Sequence, residues 1–187
     1  MFRKTVLAAT LLSTLTFAAC SDDDNNNQTL TTADLTGSYA GTFDFTPSPS
    51  DLNPAPKPET EIAIELKVEN GKVIIPEFPA TTLIKALLGD EAGGSLGALL
   101  GSIAYEATIG TPTANDTELT ARLTTPVLRI DLGEELTVLI TIESPDALRY
   151  EKSGALTFTL KTTQCQMGDG APFDLVNELK FKVTKKK

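Results

Sequence analysis

The chain has 187 residues, of which 25 are acidic and 16 basic, giving a net charge of −9. A polyanion of this kind repels nucleic acid and anionic lipid, so neither is expected as a partner. Histidine and tryptophan are both absent. Without histidine, Ser-His-Asp and Cys-His nucleophilic arrangements and most common zinc, copper and non-haem iron sites fall away, and no metal or cofactor is expected.

Arg3 and Lys4 open the chain, Val6 to Phe17 form a short apolar run, and Phe17-Ala18-Ala19 lead into Cys20. The run is too short to cross about 30 Å of hydrocarbon and ends on small residues, which defines a secretory signal cleaved before Cys20 rather than a membrane span. This order resembles a bacterial lipoprotein signal, which implies acyl chains on Cys20. Each buried methylene is worth about 0.8 kcal/mol, so two or three chains anchor stably where one does not. Ser21-Asp22-Asp23-Asp24 resembles the export tag of Bacteroidetes surface lipoproteins, implying an outer-membrane protein facing outward; a solvated acidic spacer is the other reading. The expected organisation is a signal at 1–19, a flexible Asp- and Asn-rich tether at 20–34 and one domain at 35–187. Without the signal, 168 residues remain with a net charge of −11, enough for a single sizeable core.

From Tyr39 onward the chain alternates. Tyr39, Phe43 and Phe45, then Ile62 to Val68, Leu119 to Leu123, Leu136 to Ile142, Leu156 to Leu160 and Leu179 to Val183 place apolar residues at every second position. Thr, Lys and Glu fill the positions between, the pattern of antiparallel strands wet on one face. Asn70-Gly71 predicts a tight hairpin with two positive φ angles. Ser153-Gly154 and residues 131–134 predict two further reversals. The fold class expected is all-β, an antiparallel sandwich or barrel of about eight strands, with a short helical insertion at 80–104.

Within that insertion, Leu83, Ile84, Leu87 and Leu88 have helical spacing, with Thr81 or Thr82 as cap and Gly89 as stop. Leu96, Leu99, Leu100 and Ile103 predict a second helix capped by Ser95, weakened by Gly97 and Gly101. Five prolines lie between Pro47 and Pro58. They predict an extended spacer between the first two strands, with no site placed on it.

Little in the chain reads as chemistry. With Cys20 acylated, Cys165 stands alone and is expected to be buried rather than reactive. The acidic groups at Asp90-Glu91, Asp116 and Glu118, Asp131 with Glu134-Glu135, and Asp169 lack the ligand spacing of a calcium loop and read as soluble turns. No catalytic residue is assigned. Taken whole, the chain resembles a group of Bacteroidetes lipoproteins without assigned activity, through its acidic tether, the Gly37–Thr42 opening strand and Glu77-Phe78-Pro79 before a helix. That opening strand is also similar to the first strand of calycin-like barrels. The resemblance brings no activity with it; the absent histidine and the single remaining cysteine favour a non-catalytic binding or accessory module, held to the membrane through Cys20 and serving an outer-membrane protein partner. A calycin-style binder of a small apolar or glycan ligand beneath residues 81–105 is the alternative, and a hydrolase using two carboxylates is a third.

Overall fold

Alternating burial along the chain turns the period-two pattern into one continuous antiparallel sheet. The computed structural model describes residues 28–98, 100, 102–132 and 136–187. Among these, the early strands are β1 (Gly37–Pro47), β2 (Glu59–Glu69), β3 (Lys72–Ile75), β4 (Tyr105–Ile109) and β5 (Thr113–Ala114). They are followed by β6 (Glu118–Ala121), β7 (Leu123–Thr124), β8 (Leu128–Asp131) and β9 (Thr137–Glu143). The last three are β10 (Leu148–Glu151), β11 (Ala155–Met167) and β12 (Phe173–Lys185).

The short strands are segments of longer, kinked ones. β6, β7 and β8 run on from Glu118 to Asp131, and they pair in turn with β10, β4 and β9. β9 and β10 likewise share one edge of β11, β9 along its second half and β10 along its first. β1 pairs with β2 on one side and β12 on the other. Because β6 and β7 are separated only by Arg122, the path from β7 through β4, β3, β2, β1, β12, β11 and β10 returns to β6. The sheet therefore curls into an up-and-down barrel, closed around one end. Towards the other end it opens along one side: β2 meets β3 only from Lys67 onward, and β8 pairs with β9 alone.

The segment between β3 and β4 covers this open part. It carries α2 (Ala80–Leu88) and α3 (Asp90–Gly97). Leu83, Ile84 and Leu87 of α2 are fully buried and belong to the same apolar cluster as the strand residues. Phe78 packs on Tyr105 with ring centroids 4.8 Å apart, and the Tyr105 hydroxyl donates to the Pro126 carbonyl at 2.7 Å. At the barrel's centre Phe43, Phe181 and Phe158 sit opposite one another on β1, β12 and β11. Their rings stack, with centroids 5.4 and 4.5 Å apart.

The expected class, all-β with a short helical insertion, is what the structure has. The Asn70-Gly71 turn takes positive φ at both residues, 51° and 71°. Other details differ. The second helix spans Asp90–Gly97, earlier than the Leu96–Ile103 spacing predicts, and Leu100 and Ile103 lie outside it. α2 starts at Ala80 after Pro79, with no side-chain cap from Thr81 or Thr82. The predicted tether also becomes ordered before Asp34. Leu30 is buried, and its amide donates to the Asn115 carbonyl at 2.8 Å. A single turn, α1 (Thr32–Leu35), follows, held by the Asp34 carboxylate, which accepts from the amide and the hydroxyl of Thr31.

Candidate functional site

The two ends of the barrel differ in what they expose. The entry end, where Leu30 and α1 lead into β1, is gathered by short contacts. The Tyr39 hydroxyl donates to the Leu35 carbonyl at 2.5 Å, and the Lys185 ammonium donates to the Asp34 carbonyl at 2.6 Å. Burial pushes the Tyr39 phenol well above its ordinary range. The opposite end, called here the loop end, carries residues 48–58, the β11–β12 turn and the helix pair.

The proline-rich loop at that end is a strap tied to the helix pair, not the extended spacer its composition predicts. Ser50 and Asn53 exchange backbone hydrogen bonds across a tight turn, at 2.9 and 3.2 Å. The Asn53 carboxamide then donates to the Ala86 carbonyl at 2.9 Å and more weakly to that of Lys85 at 3.4 Å. Both carbonyls belong to the last turn of α2; that of Lys85 already accepts the Gly89 amide at 2.8 Å, and that of Ala86 is one of the helix-end carbonyls that need a partner from outside. Asn53 thus caps the helix from a distant loop, and Gly89, with φ of 84°, ends it.

Two clefts flank the strap. One, of about 230 Å³, lies against α2 and includes Phe45, Asn53, Pro56, Lys85 and Asp90. Across its mouth Lys57 and Asp90 approach at 3.8 Å, both more than four-fifths exposed, and such a pair contributes little. The second, of about 580 Å³, is bounded by Pro49, Ser50, Asp51, Leu52, Phe173 and Asp174. It holds two carboxylates, two apolar walls and no cation. Leu52 is 52% exposed, although the turn beside it is tied to α2.

Inside the barrel, Asn177 has no side-chain partner for either its oxygen or its nitrogen, and it is 1% exposed. Opposite it in register, Thr162 is satisfied: its hydroxyl donates to the Leu175 carbonyl at 2.6 Å and accepts the Asn177 amide at 2.9 Å. Asn177 shares the inward period-two positions of Leu175, Leu179 and Phe181. A polar residue in that phase was the signal by which the sequence could have revealed it.

The expected lipidation residue Cys20, the expected cleavage residues Phe17, Ala18 and Ala19, and the acidic run Ser21, Asp22, Asp23 and Asp24 lie outside the described residues. So do Glu134 and Glu135. Cys165 is buried, and that burial pushes its thiol up to about 11. The acidic groups that sequence reading took for turns stand apart: Glu118 pairs with Arg149 at 2.5 Å, and Asp131 with Arg129 at 2.9 Å. Arg129, with the Thr137 hydroxyl, holds Asp131 below the usual carboxylate range. No three His, Cys, Asp or Glu side chains among the described residues converge as a metal site would need. Among the same residues no helix is long and apolar enough to cross a membrane. Beneath α2, where a calycin-style ligand would sit, Leu83, Ile84 and Leu87 fill the space.

Compared with known protein families, with curated sequences and with solved structures, the chain matches none.

Proposed function

We propose that this is a lipid-anchored protein of the outer membrane, facing outward, that acts as a non-catalytic binding or accessory module for a partner protein. The observation that carries the reading is the opposition of the barrel's two ends. The described chain begins at one end, where Leu30 and α1 lead into β1, and the strap, the helix pair and the larger cleft crowd the other. Strands of 13 residues, β11 and β12, span about 40 Å along their length at about 3.3 Å per residue. An anchor at Cys20 therefore presents the loop end away from the lipid. The interior is packed with the protein's own side chains, so recognition belongs to the surface.

The anchoring half of the reading is tested by Cys20→Ala in the producing cell. The variant is expected in the soluble fraction after a carbonate wash, and the parent chain in the membrane pellet. Equal pelleting of both would overturn it. Protease added to intact cells should cut the parent chain if it faces outward and leave it whole if it faces inward.

A further inference from the structure

We infer that the cleft between the strap and the start of β12 docks a lysine- or arginine-bearing segment of the partner protein. The aliphatic stem lies against Leu52 and Phe173, and the charge faces Asp51 and Asp174. The inference rests on the accessory-module reading and names the chemistry of its partner.

Three observations converge on this cleft. First, its charge is one-signed: neither carboxylate has a hydrogen bond or ion pair among the described residues. No lysine or arginine lines it. Second, its apolar part is held in place rather than loose. Asn53 fixes the turn that bears Leu52 to α2, and the Ser48 amide donates to the Val176 carbonyl at 2.9 Å, tying the strap to β12. Holding Leu52 half exposed in a fixed turn keeps an apolar surface in water, and a docked partner would remove that cost. Third, about 580 Å³ is within the range of clefts that take a ligand group. A long cationic side chain suits both walls, since its methylenes lie along apolar surface while its head stays near carboxylate and water. An acidic chain also draws a cationic partner from a distance, so charge serves encounter and the apolar wall serves retention.

The test uses the full chain in detergent and a fluorescein-labelled peptide of alternating lysine and leucine, read by fluorescence anisotropy. Asp51→Asn and Asp174→Asn should each weaken binding about threefold and together about tenfold, as exposed ion pairs do. Leu52→Ser should weaken it by a similar factor, while Asp116→Asn at the entry end should change nothing. Binding should fall steeply as salt approaches about 1 M, where the Debye length is about 3 Å. Unchanged affinity in the double carboxylate variant would overturn the inference. So would equal binding of a glutamate–leucine peptide, or equal affinity for spermidine alone, which would make the cleft a site for small cations. Failure of the peptide with Cys20-dependent anchoring intact removes the docking inference only; loss of anchoring with peptide binding intact removes the envelope reading only.

Discussion

The Asn53 side chain reaches the Ala86 carbonyl at 2.9 Å across 33 residues of sequence. This hydrogen bond, with the weaker one to the Lys85 carbonyl at 3.4 Å, joins the proline-rich strap to the last turn of α2. Asn53→Ala removes it and should cost about 1 kcal/mol, the usual net value of such a bond. Asn53→Asp should cost more, because a carboxylate then faces helix carbonyls at the negative end of the helix dipole. Thermal unfolding ranks the two variants, and limited proteolysis after Lys57 reports whether the strap has come loose. Equal stability of all three chains would remove the strap from the fold's support.

The helix pair supplies a second test, in which one chemical change has opposite signs at neighbouring positions. A Cβ on Gly93 would lie 2.5 Å from the Lys85 Cα, and one on Gly97 would overlap the Thr81 side chain. α2 and α3 touch backbone to backbone there. On Gly94 the nearest atom is the end of the Lys85 side chain at 3.8 Å. Gly93→Ala should therefore destabilise by about 1–3 kcal/mol through overpacking. Gly94→Ala should stabilise by about 0.5–1 kcal/mol through helix propensity. Chemical denaturation of the two variants decides it.

That packing also explains what was legible in the sequence. Strands announce themselves because one face is wet, so Ile62 to Val68 or Leu179 to Val183 can be placed from alternation alone. The hairpin at Asn70-Gly71 follows from its positive φ angles. The second helix was misplaced because its contact face consists of glycines. The pattern of Leu96, Leu99, Leu100 and Ile103 drew the expected helix several residues too late, while Gly93 and Gly97 leave no apolar side chain to mark the face. Asn53 was invisible for a related reason: its partners are backbone carbonyls, and no residue type at position 86 encodes them. The larger cleft joins residues 49–52 to residues 173 and 174, a juxtaposition created by the β1–β12 pairing and not by any local motif.

Asn177 and Thr162 face each other in the barrel with opposite energetic consequences. Thr162 makes two hydrogen bonds and Asn177 none through its side chain. A buried polar group without a partner costs about 1–3 kcal/mol. Asn177→Leu, close in volume, should raise stability by about 1 kcal/mol or more. Thr162→Val, equally isosteric, should lower it by about 1–3 kcal/mol because the Leu175 carbonyl and Asn177 amide lose their partner. Equal destabilisation by both would mean that the Asn177 side-chain carboxamide is satisfied in solution.

Cys165 should be inert while the chain is folded. Its thiol is raised from 9.0 to about 11 by burial. On ionisation alone, the folded protein should therefore react with iodoacetamide near pH 8 about a hundredfold more slowly than the denatured chain. The sign for stability follows from the raised value. The folded state favours the neutral thiol, so this contribution is complete below pH 9 and is lost between 9 and about 11. Alkylation at equal rates with and without denaturant would place the thiol on the surface.

The acid side should be governed in part by Asp44. Its carboxylate accepts the Glu61 amide at 3.0 Å and the Lys182 ammonium at 3.0 Å. The first of these contacts is the larger cause holding the group below its ordinary 3.8. Glu61 is one of two non-glycine residues with positive φ among those described, at 55°, and it lies where the β1–β2 register shifts. Asp44 thus steadies a strained bulge with a charge-assisted hydrogen bond. Because the folded carboxylate titrates below the unfolded one, its contribution is present above pH 3.8 and disappears as pH falls below that value. Asp44→Asn should lower stability at neutral pH and flatten its pH dependence below pH 3.8, as read by urea midpoints at a series of pH values. An acid limb with the same slope in the variant would show that Asp44 titrates alike in the folded and unfolded chains.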